Sequence, residues 1–482
     1  MRTTENATRR ALVGILVAGA FSGCTVAGSD YRPPSVATPA SWTATAPGLI
    51  AGGSPELSRW WAVFGDPVLD SLIAQAAQAN LDLRLAEERV LEARAQLGVP
   101  ESELWPSLSL GAVYWHGREN LPPAPPEGVV GSLYRPGFDA SWELDLFGGR
   151  RRAVEAAGAD LGAIQEERHA VLVTLFAEVG RTYVELRGLQ RQIAVARETV
   201  ATQAETLQMV RARLEAGLAS EFDVDRAEAQ MATVEAVIPA LESSRQRCAH
   251  RLAVLLGREP GALSGLLDAA APIPVPPPNI GVGLPADLLL RRPDLRRAER
   301  DLAAATARTG VAEADLYPRL SVAGSLGSQT GEFGELADWS SRIWSYGLAL
   351  RWPIFDAGRV RAAVRVQNAR QEQASTRYRR ALLAAREEVE NAFVAFGSED
   401  ARRRSLATAA AANTRALETA RALYGTGLTD YLQVLDAQRA LYTVRAQLVQ
   451  SETAAASDLV ALYKALGGGW ESGEAPTPAA GR

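Results

Sequence analysis

Phe138-Asp139-Ala140-Ser141-Trp142-Glu143-Leu144-Asp145-Leu146-Phe147-Gly148-Gly149-Arg150 changes period in its middle. Up to Leu146, apolar residues alternate with Asp139, Ser141, Glu143 and Asp145. That is the period of a strand with one apolar and one wet face. Beyond Gly149 no proline occurs until well past Leu214. Leu172, Leu175, Val179, Tyr183, Leu186, Leu189 and Ile193 recur at steps of three and four. This is the helical, coiled-coil-like period. About 65 residues at ~1.5 Å each give a rod of roughly 100 Å, which no small globular core needs.

The same transition occurs twice, at an offset near 210 residues. Trp105-Pro106-Ser107-Leu108-Ser109 matches Tyr317-Pro318-Arg319-Leu320-Ser321. Leu146-Phe147 with Gly149-Arg150 matches Ile354-Phe355 with Gly358-Arg359. Val179 to Val184 matches Val389 to Val394, Gly217-Leu218 matches Gly427-Leu428, and Leu256-Gly257 matches Leu466-Gly467. The shared order makes this a duplication, with a period far too long for a solenoid. Each copy reads as helix, strand pair, very long helix, break, helix. Pro272, Pro274, Pro276, Pro277 and Pro278 lie between the copies, where neither helix nor central strand can continue.

A plain coiled coil explains the rods but not the strands. Ser107 to Trp115 alternates Leu108, Leu110, Ala112 and Tyr114 with smaller or polar residues, and Ser321–Leu326 and Tyr346–Trp352 repeat the arrangement. Runs of about ten residues with aromatic ends suit tilted membrane strands. A small soluble sheet capping a coiled coil is the alternative. Four strands cannot close a barrel, and an open edge in lipid leaves N–H and C=O groups unpaired. A membrane sheet of this kind therefore needs several chains. Three copies supply about twelve strands, an even number within the range of such barrels, and cyclic symmetry closes the ring with one repeated interface.

The N-terminus reads as an export signal: Arg2, Arg9 and Arg10 precede the apolar run Ala11 to Phe21. That run is shorter than the about 20 residues a spanning helix needs. Phe21-Ser22-Gly23-Cys24 resembles a lipobox, with Phe21 where Leu is usual and Thr25 following. Cys24 is the expected acylation site. An ordinary signal peptide followed by an unrelated cysteine is the alternative. Cys248 is the other of two cysteines, so a disulfide within the mature chain is excluded. Its helical setting marks it as a small apolar core residue.

Composition excludes other classes. The net charge is −5 and Lys464 is the only lysine. Basic and acidic residues are interspersed, with no nucleic-acid stripe. His116, His169 and His250 have no ligand spacing, and there is no HExxH, GxSxG, CxxC or GxxxxGK[ST] pattern. Glu166-Glu167 and Glu387-Glu388 read as solvated helix faces. No enzyme activity, cofactor or metal site is expected.

Several blocks resemble outer-membrane efflux lipoproteins of the OprM/NodT branch of the TolC family, over nearly the whole chain from Cys24 to about Leu466. They are Trp60-Trp61 with Phe64, Asp66-Pro67 and Leu69, then Trp142-Glu143-Leu144-Asp145-Leu146-Phe147-Gly148. Trp352-Pro353-Ile354-Phe355-Asp356 with Gly358-Arg359, and Tyr431-Leu432 with Leu435-Asp436-Ala437-Gln438-Arg439, complete the set. The resemblance implies a mainly α fold with membrane β: a homotrimer with a twelve-stranded barrel in outer-membrane lipid and a long helical barrel in the periplasm. It implies an exit duct for an inner-membrane pump of the proton-driven RND type, reached through a periplasmic adaptor. A protein-secretion channel and an envelope coiled-coil lipoprotein are the competing functions. The division that follows is a lipoprotein signal at 1–23, an anchor and equatorial segment at 24–78 and a first repeat at 79–257. A linker at 258–290, a second repeat at 291–467 and a disordered tail at 468–482 complete it.

Gly425 and Gly427 interrupt the helical pattern, and Ala216-Gly217-Leu218-Ala219-Ser220 lies at the matching point. Glycines there permit a tight reversal between antiparallel helices. The resemblance makes Gly217, Leu218, Gly427, Leu428 and Thr429 adaptor-docking tips and places Tyr424, Leu432 and Asp436 at the aperture. A ring of Asp436 carboxylates repels itself unless paired. Arg226 is the candidate partner and Arg421 another. Relatives often carry a basic residue where this chain has Gly425. The segments 116–135 and 329–339 are expected to be extracellular loops.

Overall fold

The computed structural model describes residues 26–35, 39–44, 49–51, 57–119, 129–275, 280–287 and 291–473. The export signal, Cys24, the loop 120–128, Pro276 to Pro278 and the tail from 474 lie outside the described residues. The chain forms two compact units, each of three segments. Unit one holds residues 1–35, 89–165 and 297–379, and unit two the remainder.

Unit one carries an antiparallel sheet in the order β2-β3-β5-β6. Its strands are β2 (Ser107–Glu119), β3 (Val129–Leu144), β5 (Arg319–Ser328) and β6 (Arg342–Arg351). β2 and β3 run longer than the sequence pattern indicates and extend into the expected exit loop. Phe333–Glu335 forms a short 3-10 turn within the second loop, and Trp339–Ser341 forms another that runs from its end to β6.

The register keeps one face apolar through all four strands. Leu110 lies opposite Phe138, Phe138 opposite Leu326, and Leu326 opposite Trp344. Leu348 and Val322 continue that face with Trp142. Most of these large side chains are exposed. The other face carries Ser109, Asp139, Ser325 and Ser345 in one row and Ser107, Ser141, Ala323 and Gly347 in the next. One face suits hydrocarbon and the other water, the alternation of a membrane barrel wall. β3 ends at Leu144 rather than Leu146 because Asp145 caps the next helix. Its carboxylate accepts from the Arg150 N–H at 3.1 Å and the Arg151 N–H at 3.0 Å.

The helices repeat as the strands do. α2 (Leu81–Ser102) and α7 (Pro293–Ala314) both have 22 residues, and α3 (Gly149–Glu215) and α8 (Arg359–Gly425) both have 67. The copies differ after the turn. α9 (Tyr431–Ala465) is continuous, whereas its counterpart is broken into α4 (Glu221–Glu235) and α5 (Ile238–Leu255). Pro239 lacks the N–H that would bond the Glu235 carbonyl, and its ring clashes there. None of the described helices is long and apolar enough to cross a membrane.

In unit two, Trp60 and Trp61 are buried among α1 (Pro67–Ala79), α3, α5, α8 and α9. Trp60 stacks on Tyr463 at 5.6 Å. The Tyr183 hydroxyl donates to Asp66 at 2.6 Å and accepts from Arg187 at 3.0 Å. Cys248 is a free thiol in this core, and burial pushes it up to about 11. The linker is more structured than its prolines indicate. It contains the short α6 (Ser264–Leu267) and β4 (Ile280–Gly283), which pairs in parallel with β1 (Leu49–Ala51). Of the tail expected at 468–482, residues 468–473 are described, with a 3-10 turn at Trp470–Gly473. Trp470 stacks on His169 at 4.6 Å and donates to the Arg291 carbonyl at 3.1 Å.

Candidate functional site

The α3–α4 and α8–α9 turns have the same construction. Gly217 and Gly427 adopt φ of 73° and 78°, the left-handed region that only glycine enters freely. The Leu218 N–H then donates to the Arg213 carbonyl at 2.8 Å, and the Leu428 N–H to the Leu423 carbonyl at 2.9 Å. Both are Schellman closures of a helix end. Ser220 and Asp430 cap the helices that follow. Gly425 is not part of the reversal: it lies in the last turn of α8. The turns hold apolar side chains out in the open, with Leu218 67% and Leu428 76% exposed. Phe222 is exposed beside them, while Thr429 is half-buried.

Behind the tips, α3, α4, α8 and α9 bury a small core around Val210, Val224, Tyr424, Tyr431 and Leu435. Tyr424 is only 4% exposed, so within one protomer it faces neighbouring helices rather than open space. Arg213 holds it. The guanidinium lies over its ring at 4.7 Å. The same group donates to the carbonyls of Tyr424 at 2.7 Å and Gly425 at 3.3 Å. A cation is well placed there, because the last carbonyls of a helix carry its negative pole. Gly425 brings no charge of its own, and the cation against its carbonyl comes from α3. Desolvation holds the Tyr431 hydroxyl up at about 12 and raises Tyr424 also, so both rings stay neutral. Sequence reasoning missed Arg213. One arginine in the last turn of a long helix looks like any other.

A polar layer lies deeper. Arg421 donates to the Thr202 carbonyl at 2.6 Å and the Thr206 hydroxyl at 2.7 Å. Gln438 donates to the same hydroxyl at 2.8 Å. Both amide atoms of Gln203 and the oxygen of Gln438 are buried without a partner among the described residues. Such groups weaken local packing.

On α9, Leu432 and Asp436 are four apart, both exposed and on one face. The structure does not bring the expected cations to Asp436 within one protomer. Arg226 stacks over Phe222 at 4.2 Å, and Arg421 is turned into the polar layer. Arg439, which sequence reasoning treated only as part of a motif, bonds Gln230 across to α4 at 2.6 Å. No group of three or more described His, Cys, Asp or Glu residues is arranged to hold a metal ion.

An amphipathic sheet with open edges and paired helices of this length define a protomer of an outer-membrane channel. The chain belongs to the outer membrane efflux protein family, whose pattern matches residues 72–258 and 284–468. It is 31% identical over 464 residues to Nodulation protein T of Rhizobium leguminosarum bv. trifolii, covering 93% of this chain and 95% of that protein. It is 32% identical over 458 residues to the pyoverdine export outer membrane protein OpmQ of Pseudomonas putida, covering 93% and 96%. The solved outer-membrane channel OprN superposes with a TM-score of 0.88 at 36% identity, over 92% of this chain and 99% of that one. The protein is an outer-membrane exit duct of an efflux system.

Proposed function

We propose that three copies, each anchored through an acylated Cys24, form this duct, receiving substrate from an inner-membrane RND-type pump through a periplasmic adaptor. The observation that carries the multi-chain assembly is the sheet: four strands with one hydrocarbon-facing side, and with outer edges unpaired among the described residues, cannot stand in lipid alone. The number three comes from the family resemblance. The lipid anchor finds support just after Cys24. The Ala27 N–H donates to the Phe147 carbonyl at 2.8 Å, and Arg152 donates to the Ala27 carbonyl at 3.1 Å and to Asp30 at 2.7 Å. These bonds tie the residues just after Cys24 to the segment that joins β3 to α3, at one end of the sheet, which suits an anchor in the same membrane. Exposed Leu218 and Leu428 on rigid turns suit docking of a helical adaptor tip. The duct itself performs no chemistry. A heat-modifiable trimer in outer-membrane fractions, with increased drug or metal susceptibility of a deletion strain, is the expected result. A monomer soluble without detergent would sink this reading.

Leu432 and Asp436 are proposed to line the periplasmic aperture, with Tyr424 and Arg213 supporting them from behind. Asp436 lacks a partner in its own protomer, so a cation of a neighbouring copy is proposed to pair with it. Asp436→Ala then raises the closed-state conductance of the reconstituted channel. Unchanged conductance counts against the assignment, and a fall identifies a self-repelling ring that favours opening.

A further inference from the structure

The sheet contains one joint that no hairpin makes. β3 and β5 belong to different copies of the repeat, yet they pair with Trp142 opposite Val322 and Glu143 opposite Ser321. The far sides of β2 and β6 have no partner strand among the described residues.

The repeat carries this joint to those free edges. β2 corresponds to β5 at a shift of 212 positions, and β3 to β6 at a shift of 210. These shifts take the observed pair Ser107–Ser141 onto the observed pair Arg319–Arg351. An independent contact agrees. The Trp142 indole donates to the Leu104 carbonyl, and the Trp352 indole to the Leu316 carbonyl, both at 3.0 Å. Moving the β3–β5 joint by the same shifts places Trp352 opposite Leu110 of another copy.

We infer that β6 of one protomer pairs with β2 of the next in this register, with Arg351 opposite the partner's Gly111, Ala349 opposite the partner's Val113 and Leu348 opposite the partner's Tyr114. The faces agree. Leu348 and Leu350 meet Tyr114 and Ala112, all on the hydrocarbon side, whereas a slip of one residue would turn apolar rows onto wet ones. Arg351 also gains room, because Gly111 has open space where a Cβ would stand. A slip of two residues keeps the faces and is the alternative to discriminate.

This inference rests on the multi-chain barrel proposed above. The test uses full-length protein carrying Cys248→Ala, with Cys24 blocked by its proposed acylation, and adds Val113→Cys with Ala349→Cys. Within one chain these positions lie on the outer strands of the sheet, three spacings of ~4.8 Å apart. That is too far for an internal disulfide. Mild oxidation in membranes converts most of this variant to a covalent trimer that reductant returns to monomer. Tyr114→Cys with Leu348→Cys tests the same register on the hydrocarbon face. Ala349→Cys with Gly111→Cys, or with Trp115→Cys, is diagonal at roughly 7–8 Å and links at least about fivefold less. Strongest linkage from an offset pair overturns the register while leaving the barrel standing. A detergent-stable trimer in which no pair links does the same. A monomer without linkage removes the barrel reading itself.

Discussion

Gly327→Val leaves little assembled channel in the outer membrane. Gly137 and Gly327 face each other across the β3–β5 joint. A Cβ on Gly327 would stand 2.5 Å from the Pro136 carbonyl oxygen and 2.8 Å from the Gly137 Cα. Both are backbone atoms, so no rotamer relieves the overlap. Overpacking costs about 1–3 kcal/mol where neighbours can shift. Here the relief available is separation of the strands that join the two repeats, which leaves ladder groups unpaired in lipid. A loss of about tenfold or more corresponds to only ~1.4 kcal/mol. Quantifying heat-modifiable oligomer in outer-membrane fractions checks it. Gly131→Val is the control, since nothing lies within 4 Å of its added Cβ. Normal assembly of Gly327→Val would contradict the close approach of β3 and β5.

Arg213→Ala opens the channel. Arg213 lies in the last turn of α3, and its guanidinium holds the end of α8 through two carbonyls and the Tyr424 ring. It ties the end of α3 to the end of α8, beside the core that the two hairpins share. Hydrogen bonds from a charged donor contribute about 1.5–3 kcal/mol each, discounted here because Arg213 is partly exposed. If the tie holds only while the aperture is closed, losing about 2 kcal/mol shifts the closed–open balance roughly thirtyfold. Single-channel recordings in planar bilayers would show the higher open probability, with trimer yield unchanged. Arg213→Lys keeps the charge but loses the planar fork, so it falls between the two. An Arg213→Ala channel gating like wild type would remove Arg213 from the aperture's support.

Much of the architecture is legible in the sequence because it rests on periodicity. The change from period two to helical spacing at Asp145–Gly149 marks where wall becomes rod, and the repeat locates both rods to within a residue or two. The tip glycines were equally visible, since a left-handed residue has few alternatives to glycine. The division of labour between Gly425 and Gly427 was not. It depends on which carbonyl each following N–H reaches.

The candidate aperture was legible only as positions. Tyr424, Leu432 and Asp436 are candidates through the family resemblance alone, and their environments differ sharply. Tyr424 is buried beneath Arg213, while Asp436 stands open. Arg226 was matched to Asp436 by alignment alone. In the folded chain the flat guanidinium finds Phe222, one turn away on its own helix, because i,i+4 neighbours meet first.

The sequence by itself determined that this chain is a duplicated strand-pair and long-helix unit that cannot close alone. Alternation and proline placement are local properties, and an open sheet edge in lipid is forbidden wherever it occurs. Only the tertiary structure decided which strands adjoin, in what register, and which arginine holds the tip. Those depend on contacts between residues some 200 positions apart, such as Arg213 with Tyr424 and Gly137 with Gly327. No periodicity along a chain encodes such distances.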